Sequence, residues 1–183
     1  NTEDGYDFEL NDAQKAIFLR QLTMVDAPLN IAQYAILDGR LDCKAFLGAS
    51  RREVRDTRSL QVRFRVEHSG VIAVYDPTLH DSVHYIDLRA AVDPNAQALE
   101  IMCADASFPV DPFRDRLAAG TLIQLDDDRF ALYQRAHHLL TDGVATVENM
   151  VTGLRRVAAA LAGEPLEPRS VADLRAPARA DAE

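Results

Sequence analysis

Apolar and polar positions recur with two different periods along the first half of the chain, and each period predicts a type of element. From Leu60 to Val66 every second residue is apolar, the period that is typical of a half-buried strand. Asn11 or Asp12 can cap a helix, because their side-chain oxygens accept hydrogen bonds from the free N–H groups of a first turn. This half predicts helices over 10–19 and 45–55 and strands over 31–37, 60–66, 71–75 and 85–88.

The second half predicts a helix, a hairpin and a long amphipathic helix. The first helix opens at Asp93, and two prolines make 108–113 a loop. The acidic turn 126–128 joins two apolar runs into a hairpin, with strands over 122–125 and 129–137. In the last helix, 147–161, apolar residues recur at three- and four-residue steps, and Gly163 stands where helix ends favour glycine. Hairpins that alternate with helices predict an α/β fold, with a mixed or antiparallel sheet flanked by helices.

The composition is that of a folded chain, and it narrows the classes of partner. The 183 residues are 48% hydrophobic and 27% charged, which supplies a core and excludes wholesale disorder. A formal net charge of -9 predicts repulsion from phosphate, so we expect no nucleic acid partner. No apolar run is long enough for a membrane span, and residues 1–8 do not resemble a signal peptide. The two cysteines lack metal-ligand spacing, and we expect a cytoplasmic protein that does not bind a membrane.

The densest group of polar residues is His-His-Leu-Leu-Thr-Asp-Gly at 137–143, between the last predicted strand and the last helix. Successive strand residues point to opposite faces, so we expect His138 on one face and His137 on the other. Two imidazoles that point apart make a poor joint metal site, and we expect no metal there. Asp142 is placed to cap the helix, and Gly143 allows a backbone conformation or a close approach that a side chain would block.

A histidine pair and a capping aspartate would ordinarily need no functional explanation, but here four polar or special positions coincide at one junction. The pattern His-His-x-x-x-Asp-Gly resembles the signature of the condensation domains of nonribosomal peptide synthetases. Ala13-Gln14 is similar to that family's N-terminal helix motif, and residues 59–64 resemble its Leu-Arg-Thr-x-Phe strand motif. Residues 133–138 resemble the approach strand of initiating condensation domains from siderophore-type synthetases.

The resemblance covers nearly the whole chain but only the first lobe of the family's two-lobe, chloramphenicol-acetyltransferase-like fold. A complete domain of this family is more than twice as long. The resemblance therefore implies that 1–163 form an N-terminal lobe. It implies that 164–183 are an inter-lobe linker or the start of the second lobe, since 170–174 resemble the run that leads into it.

By this resemblance, the amine of an acceptor aminoacyl thioester attacks the carbonyl of a donor acyl thioester and forms an amide. His138 would be the catalytic residue, which either deprotonates the amine or stabilises the tetrahedral intermediate. An imidazole suits both roles, because it changes protonation state near neutral pH. His137 would be structural, and Gly143 would approach the thioester carbonyl with its backbone.

The resemblance also makes Asp142 structural, held by an arginine. Where the family motif commonly has that arginine, this chain has Gln61. Arg63 and Arg58 remain as the two candidate partners of Asp142.

The implied partners are carrier proteins, whose 4'-phosphopantetheine arms hold both substrates, together with the C-terminal lobe and an adjacent adenylation domain. No other cofactor is expected to bind the lobe itself. Two alternatives stay open: a stand-alone HxxxD acyltransferase that uses acyl-CoA, and a non-catalytic docking module for carrier proteins. Since the cleft of this family lies between two lobes, we expect little condensation activity from the lobe alone.

Overall fold

The computed structural model of the chain describes residues 8–24, 26–57, 60–68, 70–80 and 83–166. Its helices are α1 (Asp12–Thr23), α2 (Cys43–Asp56), α3 (Pro94–Ala106) and α4 (Gly143–Leu161). Its strands are β1 (Phe8–Glu9), β2 (Asn30–Asp38), β3 (Val62–Glu67), β4 (Gly70–Tyr75), β5 (Val83–Asp87), β6 (Ala118–Asp126) and β7 (Arg129–His137). A short 3-10 helix, Pro77–His80, follows β4.

The strands form a larger and a smaller sheet. The larger sheet has the order β2-β7-β6-β5, in which β5 runs parallel to β6 and the other neighbours are antiparallel. The smaller sheet has the order β1-β4-β3 and is antiparallel. The predicted α/β class with a mixed sheet is therefore confirmed.

Helices cover both faces of the larger sheet, and the alternation of residues along β7 explains how. Phe130 and Leu132 pack with α2 and α4 in one core cluster. Ala131 and Tyr133, which alternate with them, pack with α3 in a second cluster. A strand segment buried on both faces is apolar at successive positions, as residues 130–133 of β7 are.

A third core cluster joins α1 to the smaller sheet. Phe18 from α1, Phe64 from β3 and Ala73 from β4 are all buried in it. Leu139, which lies in the turn after β7, is fully buried in the same cluster. The segment that leaves the larger sheet is thus anchored in the core of the smaller one.

Most predicted elements are confirmed, with shifts at their ends. The alternating strand begins at Val62, two residues later than predicted, and α2 begins at Cys43, where Asp42 caps it. Gly163, after the end of α4, has a φ of 73°, a left-handed conformation that favours glycine. Most of the segment 164–183, including 170–174, lies outside the described residues. Among the described residues, no helix is long and apolar enough to cross a membrane.

Candidate active site

The two histidines lie at the end of β7, where the chain leaves the larger sheet. His137 is the last residue of the strand, and the N–H of Leu140 donates to its carbonyl at 2.9 Å, which closes a turn. His138 lies in that turn, and its own N–H donates to the carbonyl of Leu29 at 2.8 Å. The predicted end of the strand at His137 is confirmed, and His138 lies in the turn one residue beyond it, not on a strand face as we expected.

His137 is fully buried, and both of its ring nitrogens have partners. Nδ1 lies 3.1 Å from the backbone N of Leu139, which donates to it, and Nε2 lies 3.1 Å from Oε1 of Gln21. Burial, followed by the nearby charges of His138 and Arg135, lowers the pKa of His137 to about 4. The ring is therefore neutral at pH 7, and its hydrogen bonds tie the turn to α1.

His138 differs from its neighbour in burial and in hydrogen bonding. Its side chain is half-buried, and its Nδ1 is buried without a hydrogen-bond partner among the described residues. An unsatisfied buried polar atom costs about 1–3 kcal/mol, so such atoms are rare, and a catalytic role is one of the explanations for them. The described residues also contain no cluster of three His, Cys, Asp or Glu side chains that could hold a metal ion.

We call residues 137–140 the histidine turn. Helix α1 supports this turn through two glutamines seven residues apart. Gln14 donates from Nε2 to the carbonyl of Leu139 at 2.9 Å, while its backbone and side chain also form a capping box with Asn11. Gln21, two helical turns later, contacts the ring of His137. Gln14 belongs to the predicted Ala-Gln motif, whereas Gln21 was not predicted. The seven-residue spacing, which places both side chains on one face of a helix, is the signal that could have found it.

Asp142 is the N-cap of α4, as predicted. Its Oδ1 accepts from the N–H of Ala145 at 2.8 Å, and its carbonyl accepts from both the N–H and the hydroxyl of Thr146. The hydroxyls of Thr141 and Thr146 lie 3.2 Å apart, so Thr141 joins the hydrogen bonds at the start of α4. The side chain thus fixes the start of the helix, although it is itself exposed to solvent.

The fold of the described residues does not require glycine at position 143, the first residue of α4. Its φ is not in the left-handed region, and a Cβ built on it would meet nothing within 4 Å. The prediction that Gly143 serves a special backbone conformation is therefore wrong. The other prediction, a close approach by another molecule, stays open.

Neither candidate arginine is seen to pair with Asp142. Arg63 donates to Oδ2 of Asp76 and to the carbonyl of Arg114, both at 2.6 Å. Arg58 lies outside the described residues, and no ion pair joins Asp142 to any described residue. A side-chain hydrogen bond from Thr78, helped by Arg63, lowers the pKa of Asp76. Arg63 therefore lies in the smaller sheet and is paired with Asp76.

Gln61, at the position where the resemblance led us to expect an arginine, has a structural role of its own. It is buried, and its Nε2 donates to the carbonyls of Val54 at 2.7 Å and Arg55 at 3.1 Å. Helices leave their last carbonyls without partners, so Gln61 satisfies the end of α2.

A cavity of about 100 Å³ lies next to the histidine turn, between α2, α4 and the larger sheet. Its lining is mainly apolar and includes Phe46, Leu132 and Ala136. Thr141 and Thr146, the hydroxyl pair at the head of α4, also line it. Ala136 and Thr141, which flank the histidine turn in the chain, thus line a mainly apolar cavity.

This arrangement can be compared with known proteins. A family model described as the condensation domain matches residues 6–171. The chain belongs to the condensation domain family. The sequence motif around the histidine turn thus lies within a family match that covers all of the described residues.

The relatives of this condensation-domain chain are much longer synthases, and the match covers a small part of each. It is 34% identical over 137 residues to the dimodular nonribosomal peptide synthase of Bacillus subtilis, a match that covers 74% of this chain and 6% of the synthase. It is 32% identical over 135 residues to enterobactin synthase component F of Escherichia coli, covering 72% of this chain and 10% of that protein.

A solved structure shows the same fold. The starter condensation domain of rhizomide synthetase superposes with a TM-score of 0.80 at 29% identity, over 88% of this chain and 40% of that domain. The predicted chloramphenicol-acetyltransferase-like fold is therefore confirmed. The condensation-domain chain spans at most a tenth of these synthetases and two fifths of the solved domain.

Proposed function

We propose that this chain acts as the N-terminal lobe of a condensation domain that forms an amide between a donor acyl thioester and the amine of an acceptor. The observation that carries the proposal is the histidine turn. His137 and Leu139 are held by hydrogen bonds to α1, while the ring of His138 between them is half-buried and its Nδ1 is unpartnered among the described residues. Such a ring is positioned by the fold and has capacity left for a reacting group.

In this reaction the amine nitrogen attacks the thioester carbonyl carbon, the C–N bond forms, and the C–S bond then breaks. One proton leaves the nitrogen, and the departing sulfur finally takes one up. His138 either accepts that proton or hydrogen-bonds to the attacking nitrogen and stabilises the charged intermediate. The neutral, buried His137 serves as a support, because neither of its nitrogens is available for proton transfer.

Asp142 and Gly143 are proposed to prepare the place of the thioester. The Asp142 cap fixes the first turn of α4, and the open space above Gly143 lets a carbonyl oxygen approach the backbone. Backbone N–H groups of a first helical turn have no partner within the helix and can stabilise a developing negative charge. The C-terminal lobe of the parent domain would form the opposite wall.

The substrates are proposed to arrive on the 4'-phosphopantetheine arms of carrier proteins, since the relatives are multidomain synthetases. The C-terminal lobe and an adjacent adenylation domain are the other proposed partners. A second candidate for the donor is an acyl-CoA thioester. It is favoured because a variant of the rhizomide starter domain was solved in complex with C8-CoA, and because the apolar cavity lies beside the histidine turn.

The test is to supply the C-terminal lobe of the parent domain, in one chain with this lobe or as a separate chain. Amide formation is then followed by mass spectrometry with substrates loaded on carrier proteins. We expect His138→Ala to lose most of the activity, since general acid–base catalysis contributes about 10²–10⁴-fold. His84→Ala removes an exposed histidine in β5, two strands away, and is the matched control. Unchanged product formation in His138→Ala would remove His138 from the mechanism.

The two donors are separated by offering the same acyl group on a carrier protein and on coenzyme A. A higher kcat/KM with the carrier supports the carrier as donor, whereas equal or higher kcat/KM with acyl-CoA supports the second candidate. Gly153 lines the cavity, so Gly153→Leu is expected to impair long acyl donors more than acetyl donors if the cavity holds the acyl chain. Binding of carriers without any amide formation would instead indicate a docking module.

A further inference from the structure

We propose that Gln21 is a positioning residue for the condensation reaction: its side-chain oxygen accepts the Nε2–H of His137 and thereby holds the turn that presents His138. The importance of this support for catalysis rests on the proposed function of His138. The hydrogen bond and the tautomer that it requires can be tested without any reaction.

The tautomer of His137 follows from its two contacts. Nδ1 faces the backbone N–H of Leu139 at 3.1 Å, and an N–H group can only donate. Nδ1 must therefore be the unprotonated nitrogen, and Nε2 of the neutral ring must carry the hydrogen. Nε2 then needs an acceptor, which Oε1 of Gln21 supplies at 3.1 Å.

The side chain of Gln21 is long enough to place an acceptor at the ring of His137. The side chain of Gln21 is almost completely buried in α1, and His137 is fully buried at the end of β7. An apolar side chain at position 21 would leave the Nε2–H without a partner, and an unsatisfied buried donor is costly. The ring would then be favoured to rotate, which would also break its hydrogen bond with Leu139.

The effect reaches His138 through its two neighbours. Leu139 has three anchors. Its N–H donates to Nδ1 of His137, and its carbonyl accepts from Nε2 of Gln14. Its side chain is buried in the core cluster of α1 and the smaller sheet. His138 lies between these anchored residues, and its own N–H is bound to the carbonyl of Leu29. When the ring of His137 is released, one of the two flanking anchors of the catalytic candidate is weakened.

The first experiment is NMR spectroscopy of the chain with ¹⁵N-labelled histidine, because long-range ¹H–¹⁵N correlations show which ring nitrogen carries the proton. We expect the Nε2–H tautomer for His137 in the wild-type chain. Gln21→Leu should give a mixed or different tautomer and shifted ring signals for His138. Gln21→Glu keeps an acceptor oxygen at the same reach and should retain the wild-type tautomer.

The matched control is Gln124→Leu, which removes a second glutamine of nearly equal burial. Gln124 lies in β6 and accepts a hydrogen bond from the hydroxyl of Tyr85, so its loss should leave both histidines unchanged. In the two-lobe domain, Gln21→Leu should lower kcat at least about tenfold with little change in KM, because a catalytic group is misplaced while substrate contacts remain. Gln21→Glu should recover most of this loss.

An Nδ1–H tautomer for His137 in the wild-type chain would overturn the proposal, whether or not any variant folds. Wild-type histidine signals together with wild-type kcat in Gln21→Leu would overturn it as well. Failure of the proposed function looks different: His138→Ala would then form product normally, while the tautomer of His137 would still report on Gln21. If Gln21→Leu does not fold, the proposal is tested by the tautomer of His137 in the wild-type chain and in Gln21→Glu, which should be Nε2–H in both.

Discussion

Replacing Gly143 by alanine should separate the needs of the fold from the needs of the proposed reaction. Gly143 is the first residue of α4, its φ is not left-handed, and a Cβ there would meet nothing within 4 Å. The added methyl group therefore costs nothing sterically within the chain. If the backbone of Gly143 contacts the thioester, however, the same methyl group stands in the path of the substrate.

The expected change in stability is small and positive. In a helix interior, alanine stabilises the folded state by about 1 kcal/mol relative to glycine. Part of this gain arises because an unfolded chain with alanine has less conformational entropy than one with glycine. At the first helical position we expect about half of this, or ~0.5 kcal/mol. For a chain of this size, that corresponds to a rise in Tm of about 1–2 °C.

The assay pairs thermal unfolding, followed by circular dichroism, with kcat/KM of the two-lobe domain. We expect the Tm to rise and kcat/KM to fall at least about tenfold, the loss that follows when a stabilising contact to a developing charge is weakened. Gly48→Ala in α2 is the control, because its new methyl group would lie 3.9 Å from the flexible end of Arg52. This variant should gain stability and keep its activity. Full activity in Gly143→Ala would refute the contact, and a lower Tm would refute the steric argument.

Three further predictions concern the residues that support the site. Asp142→Ala removes the α4 cap and should cost about 1 kcal/mol in urea unfolding, whereas Asp142→Ser should retain most of the stability; equal loss in both would contradict the capping role. Gln61→Leu should cost about 1–2 kcal/mol in the same assay, because the carbonyls at the end of α2 lose their donor; an unchanged midpoint would contradict this. Because burial lowers the pKa of His137 to about 4, the folded chain takes up its proton later than the unfolded chain as the pH falls. The neutral ring therefore contributes stability above pH 6.5 that is lost progressively between pH 6.5 and 4. An NMR titration should show His137 still neutral at pH 5.5, and a midpoint near 6.5 would contradict its burial.

The parts of the fold that the sequence predicted are those governed by short-range patterns. The alternation around Phe64, the cap at Asp142 and the glycine after α4 each depend on a few neighbouring residues, and the structure confirms all three. The bounds of β7, residues 129–137, were also predicted, but the bond from His138 to the carbonyl of Leu29 was not, because it continues the pairing of β7 with a strand more than a hundred residues earlier.

The contacts that could not be predicted join residues far apart in the sequence. Gln21 and His137 are separated by 116 residues, and Gln14 and Leu139 by 125. Which partner a polar side chain meets at such distances depends on how the helices pack on the sheets, and no local pattern encodes it. The pairing of Arg63 with Asp76 shows the same point, since charge and predicted face alone could not distinguish Asp76 from Asp142.

The position of the histidine turn between the two sheets explains why its supports come from both. His137 ends a strand of the larger sheet, whereas Leu139, two residues later, is buried in the core of α1 and the smaller sheet. A rotation of the smaller sheet relative to the larger one would therefore act directly on His138, the residue between these anchors. The hydrogen bonds of Gln14 and Gln21 oppose such a rotation, because both start from α1 and both end on the turn. A substitution that loosens α1 from the smaller sheet, such as Phe18→Ala, should for this reason disturb the ring signals of His138 more than Phe46→Ala, which opens a comparable space in the core beneath α2 and α4.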